Sequence, residues 1–219
     1  MRTEYRSRVP HFHPIGATFF VTFNLKGAIP QSVLNDLKWT KQQNIAQIMA
    51  VQHPDIQSAL TREHKLYFSR FDKYLNDARE SPKWLAQSAV AEIVVQEINR
   101  LELDNMYETV CYCIMPNHVH LMIDLGKQLQ QTDMEEETGN YVQLEKILGL
   151  LKGRSARKAN LHLNRTGAFW HKDSYNHYVR DAEEFFRIIE YILQNPVKAA
   201  LANTWSDWPF NFVHPKYLQ

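Results

Sequence analysis

A chain of 219 residues with 44% hydrophobic and 22% charged side chains has the size and balance of one globular domain, and its net charge of +1 gives no whole-chain reason to bind a polyanion. No apolar run approaches the roughly 20 residues that cross a bilayer, and the start, Met1 to Arg8, lacks the apolar stretch of a secretory signal. No membrane partner and a cytoplasmic location are therefore expected. Cys111 and Cys113 sit too close along one predicted strand for an ordinary disulfide, in keeping with a reducing compartment.

In chain order, Arg2, Arg6, Arg8, His11 and His13 form a basic arm ahead of a predicted strand from Ala17 to Leu25, rich in β-branched and aromatic residues after Gly16. The polar stretch 31–80 reads as helical, broken near His53-Pro54, and as an insertion or lid more than the heart of the fold. Trp39, Ile45, Ile48, Leu66, Tyr67, Phe68 and Phe71 are enough to dock it on the main body. Pro82 and Lys83 open a helix whose Leu85, Val90, Ile93, Val94, Glu97, Ile98 and Leu101 recur at spacings of three and four, marking one apolar face. Met106 to Met115 is a strand, Pro116-Asn117 a turn, and His118 to Leu125 the antiparallel partner.

The residues 127–140 carry no periodicity and read as a mobile loop. Tyr141 to Lys158 is a helix with Leu144, Ile147, Leu148 and Leu151 inward, and Gly167 to Val179 contains a short strand. Asp181 caps a last helix, Ala182 to Gln194, that stops ahead of Pro196. The tail from Trp205 to Phe212, with two tryptophans and two phenylalanines, is expected to pack as a lid on the core. This order of strands and helices is an α+β pattern of the ferredoxin-like (RRM-like) kind, a mostly antiparallel sheet with helices packed on it, in a single domain spanning 1–219.

Chemistry concentrates at two places. Side chains two apart on a strand share a face, so His118 and His120 can converge on one metal ion while Val119, Leu121 and Ile123 face a core. In the last helix Tyr191 and Asn195, four apart, project from one face as a potential nucleophile and an oxygen ligand. A tyrosine hydroxyl titrates near about 10, so attack at neutral pH needs a metal-polarised substrate or a nearby base. A duller reading stands beside each: a tyrosine in an apolar helix is usually core, and Asn before Pro is a common helix end.

Cys113 would face His120 if the hairpin turns tightly, and Cys111, Cys113, His118 and His120 together are a set that zinc prefers. Between Glu145 and Arg165 six basic residues stand against Glu145 alone, a surface for phosphates or simply a solvated helix face. Lys152, Arg154, Arg157 and Arg180 are the candidate phosphate contacts, with Trp170, Tyr175 and His177 as stacking or positioning groups; Trp170 and Tyr175 serve equally well as core.

Taken together, Phe19-Phe20-Val21-Thr22-Phe23, Met115-Pro116-Asn117-His118-Val119-His120, His177-Tyr178-Val179-Arg180-Asp181, Tyr191 through Ala199 and Trp208-Pro209 resemble the IS200-like Y1 (HUH) transposases, most closely the REP-associated tyrosine transposases. The resemblance covers nearly the whole chain. It implies an HUH nuclease fold and a divalent cation, Mg²⁺ or Mn²⁺, on His118 and His120 with Asn195 as third ligand. It further implies attack by Tyr191 on single-stranded, hairpin-bearing DNA to give a 5′-phosphotyrosine and a free 3′-hydroxyl. Related enzymes work either as dimers that exchange the tyrosine helix or as single subunits, so monomer and homodimer both stay open. Two other classes compete: a domesticated module that holds nucleic acid without cutting it, and a zinc-stabilised structural domain.

Overall fold

A computed structural model describes residues 4–6, 10–12, 14–51, 55–77, 80–131 and 141–218. Its centre is a five-stranded sheet built from β3 (Thr18–Asn24), β4 (Glu108–Ile114), β5 (His118–Asp124), β6 (Tyr175–Tyr178) and β7 (Asn211–Val213), after a separate two-stranded ribbon of β1 (Glu4–Arg6) and β2 (Pro10–Phe12). The order β6-β3-β5-β4-β7 is antiparallel at every step. Its first four strands have the ferredoxin-like arrangement, with helix α3 (Ser88–Leu103) between β3 and β4 and helix α4 (Leu144–His162) between β5 and β6.

The pleat divides the sheet into two chemically distinct faces. Phe19, Val21 and Phe23 on β3 with Val119, Leu121 and Ile123 on β5 face a large core completed by Val90, Val94 and Ile98 of α3 and Ile147 and Leu151 of α4. Phe20, Cys111, Cys113 and Met122 face the other way, onto helix α5 (Ala182–Leu193). Helix α5 holds there because Ile188, Ile189, Ile192 and Leu193 form one stripe, and its start is fixed by the Asp181 side chain accepting from the Glu184 N–H at 2.7 Å. A one-turn helix, α6 (Asn195–Lys198), follows at once.

Helices α1 (Gln31–Ala50) and α2 (Ile56–Asp77) fill the stretch read as an insertion. They run antiparallel, since Asn44 reaches Glu63 at 3.0 Å and Lys41 reaches His64 at 3.3 Å. Their docking goes further than a lid: α2 gives Phe71 and Leu75 to the large core and lays Phe68 against Phe20 and Tyr175, with ring centroids 5.3 and 4.2 Å away.

Several boundaries differ from the sequence reading. The helix expected from Pro82 begins only at Ser88, because Gln87 is extended and the chain first makes a 3₁₀ turn at Trp84–Ala86. The tail does more than cover the core, since Asn211–Val213 pairs with β4 as a fifth strand; three residues after a proline are too few to show a period. The start of the expected loop is a 3₁₀ segment, Leu125–Gln131, held where the Gln128 amide donates to the Met106 carbonyl at 2.8 Å. The rest of that loop (132–140), the His53-Pro54 break, and Arg2, Arg8 and His13 of the basic arm lie outside the described residues; for Arg6 and His11 only the strand backbone is described. No helix among the described residues is long and apolar enough to cross a membrane.

Candidate active site

Strand β5 places His118 and His120 on the face that looks toward α5, and both are buried. Their Nε2 atoms approach to 3.1 Å, and each ring is held from behind at Nδ1. His118 Nδ1 lies 2.6 Å from Asn117 Oδ1, and that amide is itself oriented because its nitrogen donates to the Leu75 carbonyl and to Ser81 Oγ, both at 2.9 Å. The His118 Nδ1 is thereby the donor, which leaves the Nε2 lone pair facing inward. Burial, with the neighbouring His120, lowers the His118 pKa to about 3, so this ring is neutral at physiological pH. His120 Nδ1 meets Thr22 Oγ1 at 2.7 Å across the β3–β5 pairing.

A third group joins them that the sequence reading left without a role. Asp72, on α2, brings Oδ1 to 3.3 Å from His120 Nε2. Ligand atoms from Asp72, His118 and His120 all lie within 4.8 Å of one another. Burial opposes the charge on Asp72, but the close approach of His120 outweighs it and holds the carboxyl at about 2. Its Oδ2 accepts from Asn76 Nδ2 at 3.0 Å, while Oδ1 is buried with no aligned hydrogen-bond donor.

Tyr191 packs over this cluster from α5, its ring centroid 5.5 Å from that of His120 and 5.9 Å from that of Phe20. The hydroxyl lies beside Asp72 and Asn195 and is likewise buried without an aligned partner. Burial first, and then the Asp72 charge, push the phenol above its usual range. Asn195 sits one turn on, its amide nitrogen donating to the Tyr191 carbonyl at 2.7 Å and the Ile192 carbonyl at 3.4 Å. With its donors spent on the helix end, Oδ1 is the atom left to face the tyrosine hydroxyl or a cation.

The donor set fits a divalent cation. Two imidazoles and a carboxylate converge, an amide oxygen stands nearby, and Asp72 Oδ1 and the Tyr191 hydroxyl are buried without a well-aligned hydrogen bond.

The other sequence candidates are placed elsewhere. Lys152, Arg154 and Arg157 ride on α4, whose buried side belongs to the core on the far face of the sheet. Lys152 donates to the Lys172 carbonyl at 2.9 Å and burial lowers its pKa to about 8, Arg154 lies 3.7 Å from Asp104, and Arg157 is exposed. His177 on β6 lies 3.2 Å from Glu184, a buried carboxylate that also meets Lys65 at 2.9 Å, so it serves to tie β6, α2 and α5 together. Arg180 is exposed beside that cluster, with its backbone N–H donating to Glu184 at 3.2 Å. Trp170 is buried, donating to Ser155 Oγ at 3.0 Å, and Tyr175 stacks on Phe68.

Cys113 does stand opposite His120 in the strand register, as a tight hairpin requires. Burial pushes both Cys111 and Cys113 up from the ordinary thiol range, which keeps them protonated, and neither belongs to the Asp72–His118–His120 group. The zinc set of two cysteines and two histidines is not assembled.

No family model matches the chain. A protein of Haemophilus influenzae named "Putative REP-associated tyrosine transposase" is 28% identical over 108 residues, a match spanning 49% of this chain and 60% of that protein. Among solved structures, that of a REP-associated tyrosine transposase bound to a REP hairpin superposes with a TM-score of 0.53 at 16% identity, covering 96% of this chain and 82% of that one. The chain thus resembles these transposases in sequence over about half its length and shares their fold over nearly all of it.

Proposed function

We propose that this protein is a metal-dependent DNA strand transferase of the Y1 kind, a transposase that cuts single-stranded, hairpin-bearing DNA through a tyrosyl intermediate. The observation that carries this reading is the meeting, within one chain, of the His118 and His120 Nε2 atoms, the Asp72 carboxylate and the Tyr191 ring. The likeness to REP-associated transposases supports it, and the hairpin-bound relative supports the choice of substrate.

His118, His120 and Asp72 would hold the cation, with Asn195 Oδ1 as a further oxygen, a set that suits Mn²⁺ or Mg²⁺. When bound, the cation polarises the phosphate oxygens and offsets the charge that develops in an in-line displacement. Tyr191 supplies the nucleophile. Its oxygen forms a bond to the scissile phosphorus as the P–O3′ bond breaks, and the proton given up by the phenol balances the one taken up by the departing 3′ oxygen, leaving a 3′-hydroxyl and a 5′-phosphotyrosine. The ester stores the energy of the original linkage, so attack by another 3′-hydroxyl rejoins strands without a nucleotide cofactor. Asn195, bonded to the Tyr191 carbonyl, fixes the end of the helix that aims the ring. The whole chain acts in this reading as one catalytic domain, and the site needs no helix from a second copy. A cytoplasmic location goes with such a substrate.

Labelled hairpin-bearing single-stranded DNA with Mn²⁺ is expected to give a protein–DNA adduct that survives SDS, and Tyr191→Phe to give none. An adduct retained by Tyr191→Phe overturns the assignment.

A further inference from the structure

The proposed cation ligands are nearly sealed: His118 is 1% exposed, His120 0% and Asp72 8%. A phosphodiester therefore needs a defined approach. A cleft of about 160 Å³ opens against His118 between the end of α2, the β4–β5 turn and the turn after α6, with Leu75, Asn76, Lys83, Asn117 and Ala199 in its walls.

One cation lines it, and a second stands between it and the nucleophile's helix, one residue from its wall. Lys83 is exposed on the wall, and Lys198, the residue before Ala199, holds its ammonium 5.1 Å above the Tyr191 ring. Neither makes an ion pair among the described residues, unlike Lys65, Lys73 and Arg187 nearby. Both ammonium groups are thus available to a new anion at the side of the nucleophile.

The same walls are unsuited to reading a base. No phenylalanine, tyrosine or tryptophan lines the cleft, and its one aromatic ring, His118, is buried and assigned to the cation. Of its two amides, Asn117 is committed to His118, Leu75 and Ser81, and Asn76 donates to Asp72. Beyond these the walls offer mostly apolar surface, with the exposed ammonium of Lys83 on the wall and that of Lys198 beside it.

Resting on the strand-transferase reading, we infer that this cleft is a backbone subsite: it takes the sugar-phosphate next to the scissile bond, of any sequence, with Lys83 and Lys198 as its phosphate contacts. Each contact neutralises one phosphate and releases its condensed counterions, which sets the expected readout.

The test is anisotropy of labelled single-stranded oligonucleotides that differ in the bases flanking the cut, titrated at several KCl concentrations with wild type, Lys83→Ala and Lys198→Ala. Each variant is expected to weaken binding equally for all sequences and to reduce the slope of log K against log salt by about 0.7. A slope unchanged in both variants, or a loss that depends on base identity, overturns the subsite. Adduct formation by wild type is read in parallel. An adduct with unchanged slopes sinks the subsite alone, reduced slopes with no adduct sink the strand-transfer chemistry alone, and a wild type that neither binds nor reacts sinks both.

Discussion

Asp72 Oδ1 on helix α2 lies 3.3 Å from His120 Nε2 on strand β5, which makes the helical stretch between β3 and α3 part of the candidate active site. Asp72→Ala is expected to weaken Mn²⁺ binding by at least about 10-fold, measured by calorimetric titration without DNA. Asn195→Ala in the same assay ranks the two oxygen ligands. An unchanged Mn²⁺ affinity in Asp72→Ala removes the residue from the ligand set.

The hydrogen bond from behind His120 should matter almost as much as the ligands. Thr22→Val keeps the shape of the side chain but deletes the partner of His120 Nδ1 at 2.7 Å, freeing the ring and its tautomer. A loss of about 10–100-fold in Mn²⁺ affinity is expected, with little change in thermal unfolding of the metal-free protein. Equal affinity would show that strand packing alone orients the ring.

Removal of metal separates catalysis from folding. Dialysis against a chelator is expected to stop adduct formation while far-UV circular dichroism stays unchanged, because Cys111 and Cys113 lie outside the ligand cluster and both cores are apolar. Unfolding on chelation would return the structural-zinc reading.

The Glu184 cluster gives a pH dependence with a definite sign. Burial opposes the charge, but Lys65 and His177 outweigh it and hold the carboxyl at about 2 against 4.5 for a free one. A folded value below the unfolded one contributes stability above pH 4.5 that is lost as pH falls from there toward 2. In urea titrations Glu184→Gln should be less stable than wild type by about 1.5–3 kcal/mol at neutral pH, with the gap closing in that window. A gap that holds constant down to pH 2 argues against the ion pair.

Helix α5 is held to the sheet by buried side chains, of which Ile192 has no solvent contact. Ile192→Ala is expected to cost about 2–5 kcal/mol in urea unfolding. A cost below about 1 kcal/mol would mean that the helix carrying Tyr191 is loosely docked.

Much of this could be read in one dimension because it depends on local period. The alternation of β5 puts His118 and His120 on one face, the four-residue step puts Asn195 under Tyr191, and Asp181 starts the helix that carries both. The ferredoxin-like strand order follows from the same alternation of elements. Asp72 showed no such signal: it is one acidic residue on a mostly polar helix, and nothing in the period of α2 tells which side meets β5.

Which side chains share a face of each strand and helix follows from two backbone periods and is set by local order along the chain. Which of those faces meet is set by tertiary folding. Folding brought Asp72 to the histidines, put Lys152, Arg154 and Arg157 on the far layer, made His177 a partner of Glu184, and set Lys83 on the cleft wall with Lys198 beside Tyr191. Charge pairing and ligand convergence depend on contacts between elements remote in the chain, set by how the two cores close around the sheet.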